Sequence, residues 1–150
     1  MRELRTTHDA TVDAAYIYLV PHIEAGQVIS STLPKLETPM ASVITDLDAD
    51  GRVLGVELLG VSNLLSSARL ASVSLTGARF TYDAAADVAQ VDFEPVVEPE
   101  TVCDAPLIDM TARLLVGFGA DGTIVRLAFP DASSLLPASI LSDATAGPGC

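Results

Sequence analysis

The chain has no tryptophan, one lysine (Lys35), two cysteines and two histidines in 150 residues. Two cysteines, Cys103 and Cys150, are too few for a disulfide framework or a cysteine-rich zinc site. His8 and His22 lack a neighbouring pattern of acidic ligands, so a histidine-centred zinc site has no basis, and no serine stands in a nucleophile elbow. Basic residues are also scarce: eight Lys and Arg stand against 20 Asp and Glu, for a net charge of −12 and a pI near 4.2. Such a surface repels phosphate backbones, which excludes nucleic acid as a partner. The acidity reads as a means of solubility before it reads as a recognition face. No apolar run reaches the roughly 18 residues that span a bilayer, and Met1 to Arg5 is followed by no apolar stretch. Neither a membrane span nor a secretion signal is expected, and reducing cytoplasm is the expected compartment.

What the chain does have is apolar residues, 49% of the total, mostly Ala, Val and Leu, with a mean hydropathy of +0.43. It also says nearly the same thing twice. His8-Asp9-Ala10-Thr11-Val12-Asp13 returns as Tyr82-Asp83-Ala84-Ala85-Ala86-Asp87, offset by 74 residues. Asp48-Ala49-Asp50-Gly51 returns as Gly119-Ala120-Asp121-Gly122, and Val61-Ser62-Asn63-Leu64-Leu65 as Ala132-Ser133-Ser134-Leu135-Leu136, both offset by 71. Two copies of one unit, with three residues lost from the middle of the second, account for all three matches. The division expected is 1–74 and 75–150. A unit of about 70 residues buries too little surface to stand alone, so the halves should share a core or find a partner.

Each unit reads as strands and turns ending in a short helix. In the first, Glu3 to His8, Ala14 to Val20, Ala41 to Leu47 and Arg52 to Leu59 are the expected strands, with Val28 to Leu33 able to pair along an edge. Asp9 and Asp13 bound a turn and can hydrogen-bond local backbone. Ser62 is the expected N-cap of a helix carrying Leu64, Leu65 and Ala68. In the second, Arg79 to Tyr82, Val88 to Glu94, Thr111 to Phe118 and Thr123 to Phe129 repeat the order, and Pro137 should interrupt or restart the helix capped by Ser133 or Ser134. The fold class expected is mainly β (α+β): two tandem four-stranded antiparallel meanders with short helices, packed as a sandwich or closed barrel with internal pseudo-twofold symmetry.

Two motifs occupy equivalent positions and cancel. Asp46, Asp48, Asp50, Gly51 and Glu57 have the spacing of an EF-hand calcium loop, but their flanks favour strand rather than helix. Gly117, Gly119 and Gly122 match the dinucleotide fingerprint, but Thr123 to Leu127 reads as a strand where that fingerprint requires a helix. One backbone shape cannot serve both, so the shared Ala-Asp-Gly is a hairpin turn closed by Gly51 and Gly122. No metal and no cofactor is expected; Asp46, Asp48, Asp50 and Glu57 remain as the alternative, a weak surface calcium site.

Taken in order, His8-Asp9, Val12-Asp13-Ala14-Ala15-Tyr16-Ile17-Tyr18-Leu19, Asp46 to Gly51, and Gly55-Val56-Glu57-Leu58-Leu59 followed by Val61-Ser62 resemble the bacterial DUF2283 family over roughly residues 5 to 66. The second copy keeps Tyr82-Asp83, Asp87 and Ala120-Asp121-Gly122, with Arg126-Leu127-Ala128 in place of Gly55-Val56-Glu57. The resemblance implies a compact β-rich domain and brings no reaction, cofactor or catalytic residue.

Functional candidates follow from what the copies do not share. Asp9 with Asp83 and Asp13 with Asp87 recur, and read as turn-capping acids before general acids or bases. His8 stands where the second copy has Tyr82, which favours aromatic packing; His22 reads as a loop residue. Glu57, between Val56 and Leu58, is a buried acid if its face lines a barrel and a surface residue otherwise. The first expectation is a non-catalytic assembly or partner-binding module, with a homodimer as the simplest partner. The alternative is a small β-barrel enzyme steering cyclisation or isomerisation of an apolar small molecule, with Glu57, Tyr16, Tyr18 and Arg126 as catalytic candidates. Whether the chain is an enzyme stays open on sequence alone, as do the roles of Cys103 and Cys150.

Overall fold

A single residue, Arg5, separates two short strands that belong to different sheets. β1 (Arg2–Leu4) joins one sheet and β2 (Thr6–Asp9) the other. The structure, a computed structural model, describes residues 2–32, 42–76, 78–93, 103–108, 113–118 and 123–144. After β2 come β3 (Ala14–Tyr18), β4 (Ser30–Thr32), β5 (Ser42–Leu47), β6 (Val53–Leu59), α1 (Val61–Leu64) and α2 (Ser67–Thr76). The second half follows with β7 (Ala78–Asp83), β8 (Val88–Asp92), β9 (Cys103–Ile108), β10 (Arg113–Phe118), β11 (Ile124–Pro130), α3 (Ala132–Leu135) and α4 (Ala138–Ala144).

Each half makes its own antiparallel sheet, in the orders β2-β3-β6-β5-β4 and β7-β8-β11-β10-β9, and β1 extends the second beyond β7. The pairing of the half's second strand with its last, β3 with β6 and β8 with β11, departs from a sequential meander. Both sheets carry a register shift at one matching place, between Asp46 and Leu47 and between Gly117 and Phe118. Neither sheet closes into a barrel: β2 and β4 end the first, β1 and β9 the second. Strand alternation sends one side of each sheet inward, and the burial of β3 and β8 follows that period of two. Ile17, Val43, Val56 and Leu58 from the first sheet and Phe80, Val91, Leu127 and Phe129 from the second meet in one continuous core. Half-sized units that each bury one sheet face thereby complete each other.

The recurring aspartates do more than cap their own turns. Asp13 and Asp87 sit in the left-handed region, at φ 52° and 54°. The carbonyl of Asp13 accepts the Val61 N–H at 3.0 Å, and that of Asp87 accepts the Ala132 N–H at 3.0 Å. Asp13 Oδ1 accepts the Ser62 N–H at 3.0 Å and Oδ2 the Ser62 hydroxyl at 2.6 Å. Asp87 does the same with Ser133 at 2.9 and 2.6 Å. Each aspartate therefore satisfies the open N-terminus of a helix some 46 to 49 residues away. This corrects the capping expectation: the N-caps are Gly60 and Asp131, both left-handed and without side-chain caps, and Ser62 and Ser133 lie inside their helices. Asp9 and Asp83 behave as expected of turn aspartates, accepting the Thr11 and Ala85 N–H groups at 2.9 and 3.0 Å.

Two arginines tie the halves together. Arg52 Nη1 donates to the carbonyls of Ser133 (3.1 Å) and Leu136 (2.8 Å) at the end of α3. Arg69, 5% exposed on α2, places Nη1 3.5 Å from Thr123 Oγ1. Thr123 is the second-copy counterpart of Arg52, so the same hairpin position contacts the other half twice, with donor and acceptor exchanged.

Candidate functional site

Three of the four catalytic candidates gather on the outer face of the first sheet. Alternation along β3 puts Tyr16 and Tyr18 on the side opposite to the buried Ala15 and Ile17. Register then builds two rows across the sheet. Thr7, Tyr16, Glu57 and Ile44 face one another in the first, and Tyr18, Gly55 and Asp46 in the second.

Tyr16 leaves its own row. Its ring crosses Gly55, and its hydroxyl donates to Asp46 Oδ2 at 2.7 Å. Glycine is what permits this: a Cβ at position 55 would lie 2.5 Å from Tyr16 Cε1 and 2.6 Å from Cζ. The Tyr18 ring packs beside it, centroids 4.7 Å apart and planes tilted by 56°, and the Arg5 guanidinium carbon lies 4.0 Å from the Tyr18 centroid. Tilted rings and a cation over a ring face are favourable arrangements of aromatic quadrupoles. The result is an ordered series of guanidinium, ring, ring and carboxylate.

This environment fixes the protonation of Tyr16. Burial, then the hydrogen bond to Asp46, then the charges of Asp46, Tyr18 and Glu57 hold the phenol far above its ordinary 10.0. Tyr16 is a locked neutral donor, suited to orienting a carboxylate and unsuited to accepting a proton. Glu57 is half-exposed on this same outward face between Tyr16 and Ile44. The barrel lumen that would have made it a buried acid is not formed, because the sheets stay open and their inward sides belong to the core.

Arg126 is not brought to this site. It lies on β11 in the other sheet, and its row runs Glu3, Arg79, Asp92, Arg126, Gly117, Asp104, across six strands. Opposite charges alternate along that row up to Gly117, a favourable cross-strand pattern. The repeat offset sets Gln90 where the first sheet has Tyr16, Asp92 where it has Tyr18, Arg126 for Gly55, Ala128 for Glu57 and Gly117 for Asp46. Arg79 and Thr81 keep the identities of their counterparts, Arg5 and Thr7.

The calcium-loop residues are divided among other tasks. Asp48 Oδ1 accepts the N–H groups of Asp50 (2.9 Å) and Arg52 (3.0 Å), closing a hairpin in which Gly51 takes φ 77°. Asp46 turns to Tyr16, and Glu57 sits midway along β6. Among the described residues no three His, Cys, Asp or Glu side chains are grouped to hold a metal ion. Gly117 is in β10 and a strand, β11, follows it; residues 119–122 lie outside the described residues. Tyr82, the counterpart of His8, donates to Asp87 Oδ1 at 2.7 Å, and His22 is exposed in a loop. Cys103 is on β9, whereas Cys150 and Lys35 lie outside the described residues.

Arg5, Gly55 and the Tyr16–Asp46 bond have no counterpart in the sequence reading. Their only sequence signal is the matched parity of Arg5, Tyr18, Gly55 and Asp46, which becomes visible once strand register is known. Among the described residues no helix is long and apolar enough to cross a membrane. The model of the family described as "Protein of unknown function (DUF2283)" matches residues 5–62, from the arginine on Tyr18 to the serine held by Asp13. No curated protein and no solved structure matches the chain.

Proposed function

We propose that this protein is a tandem duplication of the DUF2283 unit and serves as a non-catalytic binding module, with the outer face of its first sheet as the contact surface. The duplication draws support from the paired Asp13–Ser62 and Asp87–Ser133 clamps and the matching register shifts. The binding role rests on one observation, the contrast between the two outer faces. The first presents two packed, half-exposed tyrosines with Glu57, where the second has Gln90, Asp92 and Ala128 and sets arginines between its acids; half-exposed aliphatic residues stand on both, Ile44 and Leu59 on the first and Leu115 and Pro130 on the second. Half-exposed aromatic and aliphatic side chains on a rigid sheet are the composition that interface cores favour. Both halves build the shared core, so their outer faces are where the two copies are free to differ.

The test is site-specific photo-crosslinking in the source cell. A photoreactive residue is placed at Thr7, on the first face, and separately at Thr81, its counterpart on the second. A discrete adduct from Thr7 and none from Thr81 supports the reading, and an adduct with a second copy would identify a homodimer. Equal labelling, or none at either position, overturns it.

A further inference from the structure

The outer face of the first sheet is short of positive charge in a way the second sheet makes measurable. On the second, Arg79 and Arg126 flank Asp92, with Glu3 and Asp104 beyond them. On the first, the counterpart of Arg79 is Arg5, but the counterpart of Arg126 is Gly55. Among the described residues, Asp9, Asp46 and Glu57 therefore share that face with one arginine. Glu57 has no hydrogen bond or ion pair among the described residues, and the chain as a whole carries −12. The face also shows which cation suits it, since Arg5 already lays its guanidinium over Tyr18 at 4.0 Å. A guanidinium is planar, stacks on aromatic rings and pairs with carboxylates through two parallel bonds, whereas an ammonium is a compact, strongly hydrated point charge.

Resting on the binding-module reading, we propose that the outer face of the first sheet docks an arginine-bearing peptide segment of a partner protein. One of its guanidinium groups pairs with Glu57 and stacks against the Tyr16–Tyr18 pair. The partner supplies the cation that the second sheet carries in its own sequence as Arg126. Tyr16 keeps Asp46 turned along the sheet, so Glu57 is the carboxylate presented to the incoming group. Electrostatic attraction between a strongly acidic protein and a basic segment speeds encounter, and stacking with bidentate pairing gives the choice of arginine over lysine.

Fluorescence anisotropy of the full chain tests this with fluorescein-labelled peptides of alternating glycine with arginine, lysine or glutamate. The arginine peptide should bind at physiological ionic strength, more tightly than the lysine peptide, and the glutamate peptide not at all. Glu57→Gln and Tyr18→Leu should each weaken the arginine peptide by roughly tenfold, as expected for loss of about one strong polar or cation–π contact. Glu3→Gln, which removes one charge from the other sheet, should change affinity less than about twofold. Near-ultraviolet circular dichroism checks that each variant is folded. Equal affinity for arginine and lysine peptides, or equal losses from Glu57→Gln and Glu3→Gln, would reduce the effect to bulk charge and overturn the proposal. Absence of binding with Thr7 crosslinks retained would overturn the arginine partner while leaving the binding module standing; absence of both overturns the two together.

Discussion

Replacing Gly55 by alanine adds one methyl group, and the structure says that methyl has nowhere to go while Tyr16 stays in place. A Cβ there would be 2.5 and 2.6 Å from two ring carbons, about 1 Å inside van der Waals contact. The ring must lift, and two interactions go with it. The hydrogen bond to the half-buried Asp46 carboxylate is worth about 1.5–3 kcal/mol, with the lower end apt for a partly solvated pair. The tilted contact with Tyr18 is worth about 0.5–1.5 kcal/mol. Against this, alanine in a strand is favoured over glycine by about 0.5–1 kcal/mol. Gly55→Ala should therefore destabilise by about 1–3 kcal/mol, at roughly 2–4 °C of Tm per kcal/mol for a chain of this size. Urea denaturation of wild type, Gly55→Ala, Tyr16→Ala and the double variant forms the cycle. With the ring gone, Gly55→Ala should become neutral or stabilising, giving a coupling energy of about 1.5 kcal/mol or more. Tyr16→Phe separates the causes, because it keeps the steric conflict and removes the hydrogen bond. A coupling energy within about 0.5 kcal/mol of zero, the usual additivity error, would show that the ring does not lie across Gly55.

Three other outcomes follow from the same contacts. The folded state raises the Tyr16 phenol above its ordinary 10.0, so its contribution is complete below that pH and is lost as pH climbs above it; denaturation between neutral and alkaline pH should show a shallower alkaline decline for Tyr16→Phe. Asp87 is held below its ordinary 3.8, first by the Ser133 hydroxyl, then by Tyr82 and the Ser133 N–H, so its contribution is present above that value and is lost as pH falls through it; acid titrations followed by circular dichroism should show a flatter acid limb for Asp87→Asn, which tolerates the same left-handed backbone. Arg52→Ala leaves the Ser133 and Leu136 carbonyls without that donor and should cost about 1–3 kcal/mol in chemical denaturation.

Much of the fold was legible because alternation and turn chemistry are local. Tyr16 and Tyr18 against Ile17 fixed the faces of β3, and Asp48 to Gly51 marked the hairpin, since a carboxylate that accepts the N–H two residues on can close a turn by itself. Comparison of the copies removed the calcium and nucleotide readings for the same reason: both depend on helices that the flanking β-branched runs cannot make. Two elements escaped notice. β9, Cys103–Ile108, carries Pro106 and little alternation, and the short helix expected to carry Leu64, Leu65 and Ala68 is split into α1 and a longer α2 that runs through Ser67–Thr76. The switch at Arg5, where one expected strand becomes two, was equally silent, since nothing local tells a strand which sheet to join.

The candidate site was half visible. The sequence proposed Tyr16, Tyr18 and Glu57 because only one copy has them, and they do share a face. It also proposed Arg126, which belongs to the other sheet, and it kept Asp46 only as a weak alternative calcium ligand, with no sign that its carboxylate accepts from a phenol 30 residues earlier in the chain. The sequence by itself determined the strand faces and the turns, which depend on neighbours within a few residues, and the acidic balance, which depends on composition alone. Only the tertiary structure decided that the sheets stay open, that Asp13 and Asp87 reach across to cap distant helices, and that Arg5, Tyr18, Tyr16 and Asp46 line up over Gly55. Those outcomes depend on register between strands far apart in the chain, and register is set by burying one shared core, which no single segment contains.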